Sequence, residues 1–156
     1  MTTPFLVPPT NAPLVETVIS TLPEGKIADY LTAKVVNDTP EEYVRQNLEK
    51  ALVRQYRYDP KNCYPEFSIK LGSSRKRVDI VVFQAGKEPI QENAFLLVET
   101  KKPGHSPKAK ADGVDQLKSY MAACVNAKYG LWTNGDERYC FAKRQTPKGI
   151  IFVSSQ

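Results

Sequence analysis

Three residues on two neighbouring apolar segments carry groups for which a protein core has no use. Asp79 interrupts the run Val78, Ile80, Val81 and Val82, and Glu99 and Lys101 follow Phe95, Leu96, Leu97 and Val98. Side chains alternate faces along a strand, so Glu99 and Lys101 project on the same side. Two carboxylates and an ammonium at strand ends could hold a divalent metal and a water beside a phosphodiester. Hydrolysis of that bond needs an in-line nucleophile, neutralisation of the charge growing on the phosphate, and a stabilised leaving oxygen. A hard cation bound by carboxylates supplies the charge and positions the water. On this reading Asp79 and Glu99 are metal ligands and the Thr100 main-chain carbonyl is a candidate third. Lys101 orients the attacking water, lowers its pKa and stabilises the phosphorane. Oxygen ligands are available and a thiolate–imidazole set is not, so magnesium is the expected metal, with manganese as a substitute. Each feature alone is common, since a Glu-x-Lys pair is often a surface ion pair worth little. Their combination at the ends of two successive buried strands is not.

Gln116 and Tyr120 lie four apart on the helix predicted after the Glu99 strand and share a face. A glutamine amide can bond a nucleotide or the catalytic carboxylate, and a tyrosine can contact phosphate or base. A half-buried tyrosine beside a solvated glutamine is the plainer alternative. The net charge of +5 is compatible with a polyanionic partner. Arg75, Lys76 and Arg77 precede the Asp79 strand and Lys102, Lys108 and Lys110 follow Lys101, so a DNA-binding role is expected of these six.

Composition narrows the field. At 156 residues with 41% hydrophobic content the chain fits one globular domain. No apolar run approaches the roughly 20 residues that span a bilayer. The start, MTTPFLVPPTNAPLV, lacks the basic and apolar regions of a secretory signal, so a cytoplasmic location is expected. Cys63, Cys124 and Cys140 are an odd count without metal-like spacing and read as reduced, with Cys124 on a helix's inner face. His105 is the only histidine, which excludes multi-histidine metal sites and disfavours serine or cysteine hydrolase triads.

The elements that must position these groups follow from pattern. Residues 1–26 read as a proline- and threonine-rich arm, packed through Leu14, Val15, Val18 and Ile19, and residues 27–156 as one domain. Ile27 to Leu31 is expected as a short helix. Thr39 as N-cap, Pro40 at the first helical position and Glu42 in a capping box start a helix to about Tyr56. PEFSIKL alternates as a half-buried strand, GSSRK turns into the Asp79 strand, and a loop leads to the Glu99 strand. Val114, Leu117, Tyr120, Met121 and Cys124 mark a second helix. KYGLWT is a buried strand, and Asn134-Gly135 a hairpin into RYCFAK. The order αβββαβ plus a hairpin strand predicts a mixed α/β sheet with helices on its faces. The first three strands form an antiparallel meander and the second helix a parallel crossover.

With these residues in place, the chain resembles the PD-(D/E)xK nuclease superfamily, and more closely the N-terminal nuclease domain of type I restriction enzyme R subunits and related restriction-modification proteins fused to adenine methylases. The resemblance covers roughly Ile27 to Lys143 and rests on TPEEYVRQ, GSSRKRVDIVVF, LLVETKKPG, GVDQLKSYMAAC and GLWTNGDERY taken in order. It implies a restriction-endonuclease-like core and magnesium-dependent endonucleolytic cleavage of DNA. Asp79, Glu99 and Lys101 fall on the catalytic triad, and Gln116 and Tyr120 on the auxiliary helix motif. An acidic residue on the first helix is often near the metal in such relatives, which makes Glu42, or its neighbour Glu41, a candidate. Val78 stands where the motif has proline. No glycine-rich ATP loop, helicase motor or methylase motif is present, so the chain is expected to be a fragment of a larger protein or a stand-alone relative. A motor, methylase or specificity domain is the implied partner. A repair or recombination nuclease, and a noncatalytic DNA-binding or assembly module, are the alternatives.

Overall fold

Thr39 and Pro40 start the first helix as their chemistry dictates. The computed structural model describes residues 22–155, and the expected arm packing through Leu14 to Ile19 lies outside them. Helix α1 (Pro40–Arg54) opens with Thr39 Oγ1 accepting from the Glu42 N–H at 3.0 Å. Only this half of the expected capping box forms. The Glu42 carboxylate instead accepts from Arg45 Nε at 2.8 Å and Gln46 Nε2 at 2.7 Å. The expected helix from Ile27 to Leu31 is a two-stranded hairpin, β1 (Lys26–Ala28) and β2 (Val35–Asn37). Asp29 decides the matter: its Oδ2 accepts from the Leu31 and Thr32 amides and the Thr32 hydroxyl, which fixes a turn in place of a helix.

Strands β3 (Cys63–Leu71), β4 (Ser74–Phe83), β5 (Ala94–Thr100), β6 (Tyr129–Thr133), β7 (Arg138–Thr146) and β8 (Gly149–Ser155) form one sheet in that order. Every neighbouring pair is antiparallel except β5–β6, which helix α2 (Val114–Ala123) joins as a parallel crossover. The expected meander and crossover are both present, and β8 is an addition beyond the expected hairpin strand. Two apolar layers sandwich the sheet. Val81, Leu97 and Trp132 pack under α2 with Leu117 and Met121, while Ile80, Val82, Val98 and Leu131 pack with Leu48 and Leu52 of α1. Gly130 lets α2 approach β6 closely: a Cβ there would overlap the Met121 sulfur and crowd Leu117. Gly130→Ala is therefore expected to cost about 1–3 kcal/mol, read from the urea midpoint. Among the described residues no helix is long and apolar enough to cross a membrane, and the three cysteines are free.

One irregularity shapes the site. In an unbroken strand Val78 and Val81 would face opposite ways, yet both pack on the α2 side, with Ile80 on the other. Strand β4 thus slips by half a pleat at Asp79. Strand β3 does the same at the same level, where Glu66 has a φ of 55° and sits between the pairs Pro65–Ile80 and Phe67–Val78. The doubled break bends the β3–β4 hairpin back over the sheet. Its tip reaches the far end of α2, where the Gln91 amide donates to both the Lys70 and Ala123 carbonyls.

Candidate active site

Asp79 leaves the strand ladder where β4 breaks, and Glu99 meets it there. The Asp79 N–H donates to Glu99 Oε1 at 3.0 Å. Asp79 Oδ2 in turn accepts from the Thr100 N–H at 2.7 Å and from the Thr100 hydroxyl at 3.1 Å. Lys101, whose own N–H is fixed to the Thr133 carbonyl, places Nζ 3.7 Å from Glu99 Oε2. The structure therefore brings Asp79, Glu99, Thr100 and Lys101 together at the ends of β4 and β5.

The pair is electrostatically loaded. Glu99 is 2% exposed, and burial followed by the charge of Asp79 pushes its carboxyl up to about 8. Burial also raises Asp79, against the bonds from Thr100 and the charge of Lys101. Lys101, with Arg45 acting on Asp79 as well, does not offset two carboxylates held this close. Tyr120 stands in the same field: burial, then the charges of Glu99 and Asp79, push its phenol up to about 12, so it stays a protonated donor. One turn earlier on α2, Gln116 has a buried Oε1 with no partner among the described residues.

These donors can be tested against the expected metal. Magnesium takes hard oxygen, needs only one or two carboxylates and retains several waters. Asp79, Glu99 and the Thr100 carbonyl fit that pattern, and a divalent cation would take the place of the proton that the crowded pair retains. Among the described residues no three His, Cys, Asp or Glu side chains gather as a metal-binding group.

Glu42 does not join this site. Its carboxylate is bound to Arg45 and Gln46. The acid of α1 that feels the site is Glu41, whose carboxyl is raised by burial and by Asp79 and lowered by Lys101. Neighbouring positions on a helix point about 100° apart, and Arg45 on the inner face takes Glu42 with it. The six basic candidates do not form one cluster either. The folded-back hairpin puts Arg75 in a groove with Lys70, Gln91 and Ala123, at the end of α2 remote from the exposed Lys102, Lys108 and Lys110. Lys76 shares the cross-strand position of Ile69, and Arg77 pairs with Glu66 at 3.4 Å.

Two features go beyond the sequence pattern, which offers only that Arg45, one turn on from Glu42, could pair with it or meet phosphate. His105 is structural, bonded through Nε2 to Asp112 Oδ1 at 2.8 Å. With the Asn134 amide on the His105 carbonyl and the Trp132 indole on the Asp112 carbonyl, it pins the loop between Lys101 and α2. The second feature is a buried charge cluster between the β1–β2 hairpin and α1. Arg45, 6% exposed, lies 3.6 Å from Asp29, 2.8 Å from Glu42 and 3.8 Å from Glu49. Gln46 Nε2 also donates to Asp29 Oδ1 at 2.8 Å.

Glu49 is fully buried, and burial with the adjacent Asp29 raises its carboxyl from 4.5 to about 9. Across that window the folded chain keeps a proton that the unfolded chain releases. Stability therefore falls as pH rises from the lower value towards the higher, by at most about 1.4 kcal/mol per pH unit. Glu49→Gln lacks this loss, so its stability relative to the parent is expected to improve between about pH 5 and pH 8. Paired urea titrations at the two pH values check it, and a constant difference would show that Glu49 is charged inside the fold.

A family model described as the type I restriction enzyme R protein N terminus matches residues 40–155. The match spans both helices and the whole six-stranded sheet. Comparison with curated proteins finds no match.

Proposed function

Since the chain belongs to the type I restriction enzyme R protein N-terminal family, which supports a nuclease role in a restriction system, we propose that it is the magnesium-dependent DNA endonuclease domain of such a system, with a PD-(D/E)xK core. The observation that carries this reading is the Asp79–Glu99 pair at the strand ends, with Lys101 Nζ 3.7 Å from Glu99 Oε2. A bound divalent cation supplies positive charge to the scissile phosphate and lowers the pKa of a coordinated water. Asp79 and Glu99 hold that charge in place, with the Thr100 carbonyl beside them. Lys101 Nζ donates toward the attacking water and the developing phosphorane oxygens, where an aimed cation lowers the barrier. Thr100 fixes the Asp79 rotamer through two bonds, so the ligand is oriented before the metal arrives. Tyr120 and Gln116 line the α2 side as neutral donors and acceptors for Glu99 or for the nucleotide. Recognition, translocation or methylation is assigned to partner domains or subunits of the system, and DNA is the shared substrate.

Calorimetry with magnesium and manganese tests the site directly. The parent is expected to bind, and Asp79→Ala to lose that binding. Unchanged affinity in the variant would remove Asp79 from the metal site and with it this mechanism.

A further inference from the structure

The β1–β2 hairpin precedes the residues matched by the family, and it closes a cavity of about 220 Å³ against α1, β3 and β4. Three kinds of surface meet there. Val36 and Pro65 give it apolar surface, the buried Asp29 and Arg45 a charged floor, and the exposed Thr32, Lys34, Glu66 and Arg77 a rim of donors and one acceptor carboxylate. The rim cations are exposed, with Arg77 at 71%. The cavity adjoins the candidate active site: Glu66 lies opposite Asp79 at the doubled strand break, and Arg77 precedes Asp79 by two residues on β4.

We propose that this cavity receives one unpaired nucleotide of the substrate strand, beside the phosphodiester held at Asp79 and Glu99. The proposal rests on the nuclease reading above and adds the form of the substrate. The base lies against Val36 and Pro65 and meets Glu66 and Arg45 with its hydrogen-bonding edge. Its phosphate is held by Lys34 and Arg77. A bare inorganic anion is a poorer fit, because Glu66 faces the cavity and Arg45 is already surrounded by Asp29, Glu42, Glu49 and Glu66. A neutral heteroaromatic ring with both donors and acceptors matches a base of mixed sign. A paired base cannot present that edge and must first leave the stack, so the cavity selects single-stranded or flipped nucleotides.

Fluorescence anisotropy with calcium in place of magnesium separates binding from cleavage. The probes are a single strand, its duplex, and the same strand with its bases removed at successive positions. The intact strand is expected to bind about tenfold more tightly than the duplex or the abasic strand, since covering about 55 Å² of apolar base surface against Val36 and Pro65 contributes on that order. Val36→Trp fills the cavity and is expected to bind intact and abasic strands alike, at the level of the parent on abasic DNA. A readout without substitution is the amide spectrum of the parent titrated with thymidine monophosphate, in which Thr32, Lys34, Val36, Glu66 and Arg77 are expected to shift. Equal binding of intact and abasic strands by the parent, or monophosphate shifts confined elsewhere, would overturn the cavity assignment while leaving the nuclease reading intact. Failure to bind any of the DNA probes would overturn both.

Discussion

Lys101→Ala is expected to lower magnesium-dependent DNA cleavage by about 10²–10³-fold, the scale on which a single preorganised donor aimed at developing charge acts. The loss belongs in kcat. Lys101 is 13% exposed at its side chain, and among the described residues its one ion pair is to Glu99 at 3.7 Å. Its main-chain bond to Thr133 survives truncation, so the fold and the strand ends stay in place. Removing a cation from beside two carboxylates also leaves their attraction for a divalent metal undiminished. Thermal melting and metal calorimetry should therefore match the parent while single-turnover cleavage, measured with the partner components of the restriction system, collapses. A variant that cuts within a few-fold of the parental rate would show that Lys101 only balances Glu99.

The largest effect on stability is expected at Arg45. Arg45→Ala strips the shared counter-ion from Asp29 and Glu42 and leaves their charge buried between the hairpin and α1. Breaking a buried ion pair from one side costs about 3–5 kcal/mol, a large share of the 5–15 kcal/mol by which domains are usually stable. Urea unfolding at neutral pH measures it. A loss below about 1 kcal/mol would place the guanidinium in the category of exposed pairs, where such contacts are worth little.

Much of this architecture is written locally in the chain. The Thr39-Pro40 start, the alternation of Phe67, Ile69 and Leu71, and the Asn134-Gly135 turn are each decided by residues near one another, and each is present. The grouping of Asp79, Glu99 and Lys101 was equally legible, because charge in an apolar strand is conspicuous. What escaped depends on distant partners. A three-residue strand is too short to show a period, so the β1–β2 hairpin looked like a helix until Asp29 closed its turn. Whether Glu41 or Glu42 is drawn into the Arg45 cluster depends on how α1 is rotated against the sheet, and it is Glu42 that pairs with Arg45. The break at Glu66 and Asp79 is a property of two strands at once. Neither residue type announces it, and it is what carries Arg75 away from the basic residues that follow Lys101.

That hairpin also separates two meanings of a boundary. Sequence kinship begins at Pro40, but the physical unit begins earlier: the Tyr30 amide donates to Gln46 Oε1, the Leu31 amide to Glu49 Oε1, and Asp29 reaches Gln46 and Arg45. A cut made where kinship begins would strand Arg45, Gln46 and Glu49 on a helix face evolved to be covered. The sheet that kinship marks and the cover that completes it are separate stretches of one chain, brought together by folding.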